Sequence, residues 1–516
     1  MSASQPNILF ICVDQWRGDT LPVLGHPVVK TPTVDRLCRE GVTFARHFTQ
    51  GVPCAPARAS MLTGMYTMNH RVVQNRTPLD AKFTNLALEL RKAGYEPGLI
   101  GYTTTAIDPR PYPANDPVRR QMNAVLPGFR AVRTTEPEYQ RDYYGYLAAN
   151  GYPQPDDPAD YWLPDPADPR SRDGKSTAAP WLVKAEHSDT AWYTEAALEF
   201  IHGQRHEPWM LHLGYFRPHP PMVAPAPYHE MYRPEATPAP ARLDTADAQR
   251  AVHPFVRYTL DTQHARSFFR HGEGLVSELD AAAIAQLRAT YYGLMTEIDD
   301  QLARVMQALE DTGQIDNTLI VFTSDHGEEL GDHYMLNKQG FYDASFHIPM
   351  IVRDPRPEAD ATRGTIVSAL TGNIDDAPTV LDWLGAPTPR QMDGRSLLPF
   401  IHGRAPADWR REIFFESDFR DIVSEAPQLA LGVHMDEAGL AVLRDDNWAY
   451  VHFAALPPLL FNIVEDPGQL HDLAGDPAYA PVIADCQSRM LRWRLVQQDR
   501  TLTGVGCWRE GYIERA

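Results

Sequence analysis

"NILFICVDQ", residues 7–15, is an unbroken apolar run that ends on an acid and an amide. Its length and its polar stop predict a buried strand over residues 7–13. Working outward, residues 31–40 read as a helix, with Thr31 as a candidate cap, Pro32 in the first turn and Gly41 as the stop. The alternation then repeats, with helical patterns over 86–93, 190–201, 278–310 and 377–384 and extended runs over 98–102, 209–215, 318–323 and 348–352. Strands separated by helices predict an α/β fold with a doubly wound, mostly parallel sheet.

Two stretches break the rhythm. Residues 104–188, with "DPRPYPANDPVRR" and "PQPDDPADYWLPDPADP", are rich in Pro, Asp and Tyr and read as a long ordered excursion of the kind that shapes substrate access. After "DGRSLLPFIHGRAPADWR" the pattern turns to the strand-like "EIFFES", "AGLAVLRD", "NWAYVHFA" and "LLFNIV" and a helix over 481–497. This predicts a larger α/β domain over 1–404 and a smaller C-terminal α+β domain with an antiparallel sheet over 405–516.

Composition narrows the function classes. With 516 residues, 43% of them hydrophobic, the chain can bury a large core. Its 48 basic against 67 acidic residues, a net charge of −19, disfavour nucleic acid or an anionic membrane as a general partner, so any bound anion needs a local site. The five cysteines are scattered without CxxC spacing, which suits a reducing compartment rather than a disulfide framework. The first residues lack a basic leader region and no run is long enough to span a bilayer; a cytoplasmic protein is expected.

In a doubly wound sheet ligands bind beyond the carboxyl ends of the strands, so polar residues directly after an apolar run matter most. Such positions are Asp14 and Gln15, Thr103 and Thr104, Arg217 and His219, and Asp325 and His326. An acid at a strand end is also a common helix cap. Together, though, Asp14, Gln15, Asp325 and His326 offer two carboxylates, an amide oxygen and an imidazole. That mixed set suits a divalent cation of intermediate hardness such as Mn²⁺, with Ca²⁺, Mg²⁺ and Zn²⁺ as alternatives. His333, in "GDHYML", is the alternative imidazole.

A further segment, "GVPCAPARASMLTGMY" at 51–66, predicts a short helix that begins near Cys54 and Pro56 and stops at Gly64. Cys54 is either a core thiol or a reactive centre at a helix N-terminus, where amide groups favour an anion. One turn on, Arg58 either pairs with two oxygens of a phosphoryl or sulfuryl group or sits in an ion pair.

The run Cys54-Ala-Pro-Ala-Arg58 followed by Leu62-Thr63-Gly64 resembles the sulfatase-family motif, and the resemblance extends to "PNILFICVDQWRGDTLP", "TPTVDRLCREGVTF", "SDHGEELGDH" and "DGRSLLP". It implies an alkaline phosphatase-like fold and a Cys54 oxidised to formylglycine by a formylglycine-generating enzyme. The hydrated aldehyde then attacks sulfur or phosphorus through one hydroxyl and expels the product through the other. Within the alkaline phosphatase superfamily the chain looks most similar to phosphonate monoester hydrolases, which are also phosphodiesterases. Arylsulfatases usually carry a carboxylate where Gln15 stands, an Asn where His326 stands, and Gly-Lys-Trp-His where this chain has "GYTTTAIDPR".

By the same resemblance Tyr102, Thr104, Asn75, His219 and Lys338 complete the site, and residue 54 joins the metal ligands. Lys338 and Arg58 would offset charge on nonbridging oxygens, and His219 would protonate the leaving oxygen or bind it. Asn75, Tyr102 and Thr104 would supply neutral donors, which suit a singly charged phosphodiester or phosphonate monoester, with sulfate esters as a side activity. An arylsulfatase and an inactive metal-binding scaffold are the alternative readings. The family also implies a homotetramer, with which the tail "CWREGYIERA" is compatible.

Overall fold

A computed structural model of the chain describes residues 5–121, 123–135, 141–204, 207–509 and 511–514. Parts of the 104–188 excursion and of the tail at 507–516 therefore lie outside the described residues. The opening run forms the strand Asn7–Asp14, buried along its whole length. Ile8, Phe10 and Cys12 pack with Met61, Leu90 and Leu381 in one apolar cluster. Leu9, Ile11 and Val13 pack with Tyr193, Met295 and Leu302 in another. Helices cover both faces of the strand, so it shows no polar alternation.

The strand sits inside a nine-stranded sheet. Its order is His347–Ile348, Val42–Phe48, Met350–Arg353, Thr318–Ser324, Asn7–Asp14, Met210–Pro218, Gly98–Gly101, Arg130–Thr134, with Thr365–Gly372 paired to Val42–Phe48. From Thr318–Ser324 to Arg130–Thr134 every pairing is parallel. Met350–Arg353, in contrast, runs antiparallel to both of its neighbours, so the sheet is mixed. The extended run expected over 348–352 is real but broken at Pro349, which has no N–H for the ladder.

The first helix, Pro32–Glu40, corrects one expectation. Thr31 flanks it but makes no capping bond. Asp299, from the long helix Ala281–Asp311, accepts from the N–H groups of Thr33 (3.0 Å) and Val34 (2.8 Å) instead. The orphan donors of the helix start are thus satisfied across the core rather than locally.

A second, five-stranded sheet is built from Leu459–Asn462, Trp448–Phe453, Gly439–Arg444, Ile413–Asp418 and Gly51–Val52. Four of these are the strand-like C-terminal segments. The fifth, Gly51–Val52, pairs parallel with Ile413–Asp418 and leads through Pro53 into the helix Cys54–Thr63. The C-terminal sheet is thereby tied to the segment that carries Cys54. The helix Ala480–Val496 covers this sheet through Cys486, Met490 and Trp493. Among the described residues no helix is long and apolar enough to cross a membrane.

Candidate active site

Asn7–Asp14 and Thr318–Ser324 are adjacent and parallel, with Val13 opposite Ser324, so Asp14 and Asp325 leave the sheet side by side. Arg58 lies between them. Its Nε donates to Asp325 Oδ2 (2.9 Å), its Nη2 to Asp14 Oδ2 (3.1 Å) and its Nη1 to the Tyr102 carbonyl (2.8 Å). The Tyr102 ring stacks on the guanidinium at 4.4 Å, and the Tyr102 hydroxyl donates to Asp14 Oδ2 at 2.6 Å. Arg58 is thus in an ion pair, buried rather than on the surface. Three of its five N–H groups are directed at protein oxygens, and its side chain is 0% exposed. Two buried carboxylates this close would repel, and the shared cation removes that cost.

His326 completes the cluster. Its ring nitrogen Nδ1 lies 3.1 Å from the Gly327 carbonyl, which selects the tautomer protonated there. Nε2 is left with its lone pair 3.2 Å from Cys54 Sγ and 3.6 Å from Asp14 Oδ1 and from Asp325 Oδ2. One ligand atom each from Asp14, Cys54, Asp325 and His326 fall within 4.8 Å of one another, all buried. Asp14 Oδ1 has no hydrogen-bond partner. A buried carboxylate oxygen without a donor is costly unless a cation meets it. The donor set therefore fits a divalent metal ion. His333, the alternative imidazole, stands apart from this group, stacked on Tyr342.

Electrostatics sharpen the picture. Burial works against ionised Asp325, but the neighbouring His326, Arg58 and Lys338 hold its carboxyl far below the usual range. Burial lowers His326 to about 4, so the ring is neutral and able to ligate. Burial and then Asp14 push the Cys54 thiol up to about 12. An unmodified thiol here stays protonated at neutral pH and is a poor nucleophile.

Around this floor Gln15 is held at both ends of its amide. Lys338 Nζ donates to Gln15 Oε1 at 2.6 Å, and Gln15 Nε2 donates to Glu328. Glu328, to which the sequence alone gives no role, stands two residues after His326 in "SDHGEELGDH" and also accepts from the N–H groups of Leu330 and Asn337. Gln15 and Thr104 both adopt left-handed backbones (φ 71 and 51), a strain of about 1–3 kcal/mol each of the kind found at functional sites. Tyr291 secures the first by donating to the Gln15 carbonyl at 2.6 Å. The Thr104 hydroxyl is buried without a partner.

Asn75, His219 and Lys338 line one cavity of about 680 Å³, which Phe255, Tyr258, Phe268 and the segment 417–423 also border. Asn75 Oδ1 accepts from the Ala55 N–H at 2.9 Å, which caps the Cys54 helix. His219 Nδ1 lies 2.6 Å from the Pro220 carbonyl. Packing around the ring, then the nearby Lys338 charge, hold His219 well below its usual pKa. Among the described residues, none of the 104–188 excursion lines this cavity.

The sulfatase profile matches residues 6–386, and that of the N-sulphoglucosamine sulphohydrolase C-terminal region matches 331–496. The multifunctional alkaline phosphatase superfamily protein PehA of Trinickia caryophylli is 49% identical over 505 residues, 97% of each chain. The crystal structure of the phosphonate monoester hydrolase of Agrobacterium radiobacter superposes with a TM-score of 0.94 at 41% identity, over 99% of this chain and 100% of that one. The phosphonate monoester hydrolase SpPMH of Silicibacter pomeroyi gives a TM-score of 0.92 at 41% identity over 99% of each chain. With strand-end acids, a buried cysteine at a helix start and these matches together, the chain belongs to the sulfatase family.

Proposed function

We propose that this chain is a metal-dependent hydrolase of phosphonate monoesters and phosphodiesters, acting through a formylglycine made from Cys54, with sulfate esters as a secondary substrate. The observation that carries this reading is the convergence of Asp14, Cys54, Asp325 and His326 at two parallel strand ends, beside a cavity lined by Asn75, His219 and Lys338. The phosphonate monoester hydrolases that superpose on the whole chain support it.

Asp14, Asp325, His326 and residue 54 would hold the cation, and Gln15, fixed by Lys338, adds a neutral oxygen beside them. When bound, a divalent ion supplies Lewis acidity, and Mn²⁺ matches the mixed donors best. Arg58 keeps the two carboxylates together, and Tyr102 steadies Asp14. Lys338 places a positive charge in the cavity beside Gln15, where it can meet a substrate anion; Arg76 and Arg420 line the same cavity together with Asp418 and Asp421. His219 presents an imidazole to the departing oxygen, and a bound anion raises its proton affinity. Asn75 and Thr104 add neutral contacts.

Five unpaired cysteines suit a reducing, cytoplasmic setting. Exposed Trp508, Tyr512 and Ile513 suit a homotetramer with buried tails. A second sheet, four of whose five strands fall after residue 405, supports a smaller unit over 405–516.

The test is kcat/KM for an aryl phosphonate monoester, an aryl phosphodiester and an aryl sulfate on one metal-loaded preparation. The phosphorus esters are expected to win. A sulfate preference would make this an arylsulfatase with an altered site, and no turnover of any ester a scaffold.

A further inference from the structure

We propose that Arg217 is a positioning residue for His219, and that the 104–188 excursion acts on the site through Arg217. The inference rests on the reading of His219 given above.

Arg217 ends the strand Met210–Pro218 and is fully buried. Its guanidinium carbon lies 4.5 Å from the Trp162 ring and 4.9 Å from the Trp181 ring, which stack on each other at 4.8 Å. Both tryptophans belong to the excursion, and the Trp181 N–H donates to the Ala224 carbonyl at 2.8 Å, just beyond the His219 turn. Such a cation on buried indoles is held far more firmly than one on the surface. Asp189, at the start of the helix Asp189–Gly203, takes the Nε hydrogen at 3.3 Å.

Of the other two nitrogens, Nη2 has no hydrogen-bond partner and Nη1 reaches the loop that carries His219. Nη1 donates to the Pro221 carbonyl at 2.6 Å and approaches the His219 carbonyl at 3.5 Å. These flank the Pro220 carbonyl, which accepts from His219 Nδ1. Whichever group accepts at one ring nitrogen decides what the other can do. By fixing the peptides on either side of Pro220, Arg217 fixes the acceptor that sets the tautomer and tilt of His219. The chain of contact runs from Trp162 and Trp181 through Arg217 to His219, and Phe216 adds a ring contact to His219 at 4.8 Å.

The test is a double-mutant cycle on the metal-loaded protein with residue 54 converted. Wild type, Arg217→Lys, His219→Ala and the double variant are assayed with phenyl and para-nitrophenyl esters of one phosphonate. Lysine keeps the charge but not the planar fork. We expect Arg217→Lys to lower kcat/KM on the phenyl ester about 10- to 100-fold and to cost nothing further once His219 is gone. The same loss with and without His219 overturns the proposal. The leaving-group contrast separately tests His219: if His219→Ala slows both esters equally, its proton-donor role fails, while the cycle still decides what Arg217 does. Should Arg217→Lys not fold, Asp189→Asn, which removes only the Nε anchor, goes through the same cycle.

Discussion

The floor of the site and its His219 side are held in different ways. On the floor, Asp14 accepts from Arg58 and Tyr102, and Asp325 accepts from Arg58 and from the N–H groups of Gln15 and His326. Strand register brings these groups together, and several bonds then hold each one. On the other side, the His219 ring is oriented by one carbonyl in a proline-rich turn, itself held from behind by Arg217, and by the Phe216 ring. The contrast teaches that regular elements give redundancy, whereas an irregular wall concentrates its geometry in a few contacts.

Breaking the floor at its centre should do most to stability. Arg58→Met leaves two buried carboxylates facing each other, and a loss of about 3–5 kcal/mol is expected, read as a large fall in Tm. Unchanged Tm would mean the carboxylates tolerate each other without the guanidinium.

Beneath the His219 side, Glu297 offers a pH test. Burial, opposed by the Ser188 hydroxyl and reinforced by Asp189, pushes its carboxyl from 4.5 up to about 8. The folded protein keeps a proton that the unfolded chain releases, so this contribution is full below about pH 4.5 and is lost as pH rises toward about 8. Wild-type Tm should therefore fall over that range by an amount worth a few kcal/mol, and Glu297→Gln should flatten the slope. Parallel slopes for the two proteins would rule Glu297 out as the source.

A smaller effect should separate redundancy from necessity. Tyr102→Phe removes one of the two donors to Asp14 Oδ2 and leaves Arg58 in place. About a tenfold loss in kcat/KM is expected, with Tm changed by a degree or two. A loss as deep as that of Arg58→Met would show that the floor is no more redundant than the wall.

Much of this floor is legible in the sequence, because "NILFICVDQ" and "TLIVFTSDHGE" are apolar runs with polar stops and both are buried on two faces. The partners of Arg58 are not legible, since Asp325 lies 267 residues away and only the parallel register brings it near. Val42–Phe48 escapes because buried Thr43 and His47 interrupt its apolar pattern. Arg130–Thr134 escapes because it is a half-exposed edge strand without a hydrophobic signal. Gly51–Val52 is too short to read as a strand, although it joins the second sheet to Cys54. The reach of Trp162 and Trp181 to Arg217 depends on an irregular path that no periodicity reveals.

The central claim is that residue 54, once converted, performs the chemistry at this floor. The most direct measurement is kcat on a phosphonate monoester across preparations that differ in the fraction of residue 54 carrying the aldehyde, quantified by peptide mass, with Cys54→Ala as the zero point. The account predicts activity proportional to that fraction and a loss on the order of 10⁴-fold or more in Cys54→Ala. Activity that ignores the fraction converted, or that survives in Cys54→Ala, would contradict it.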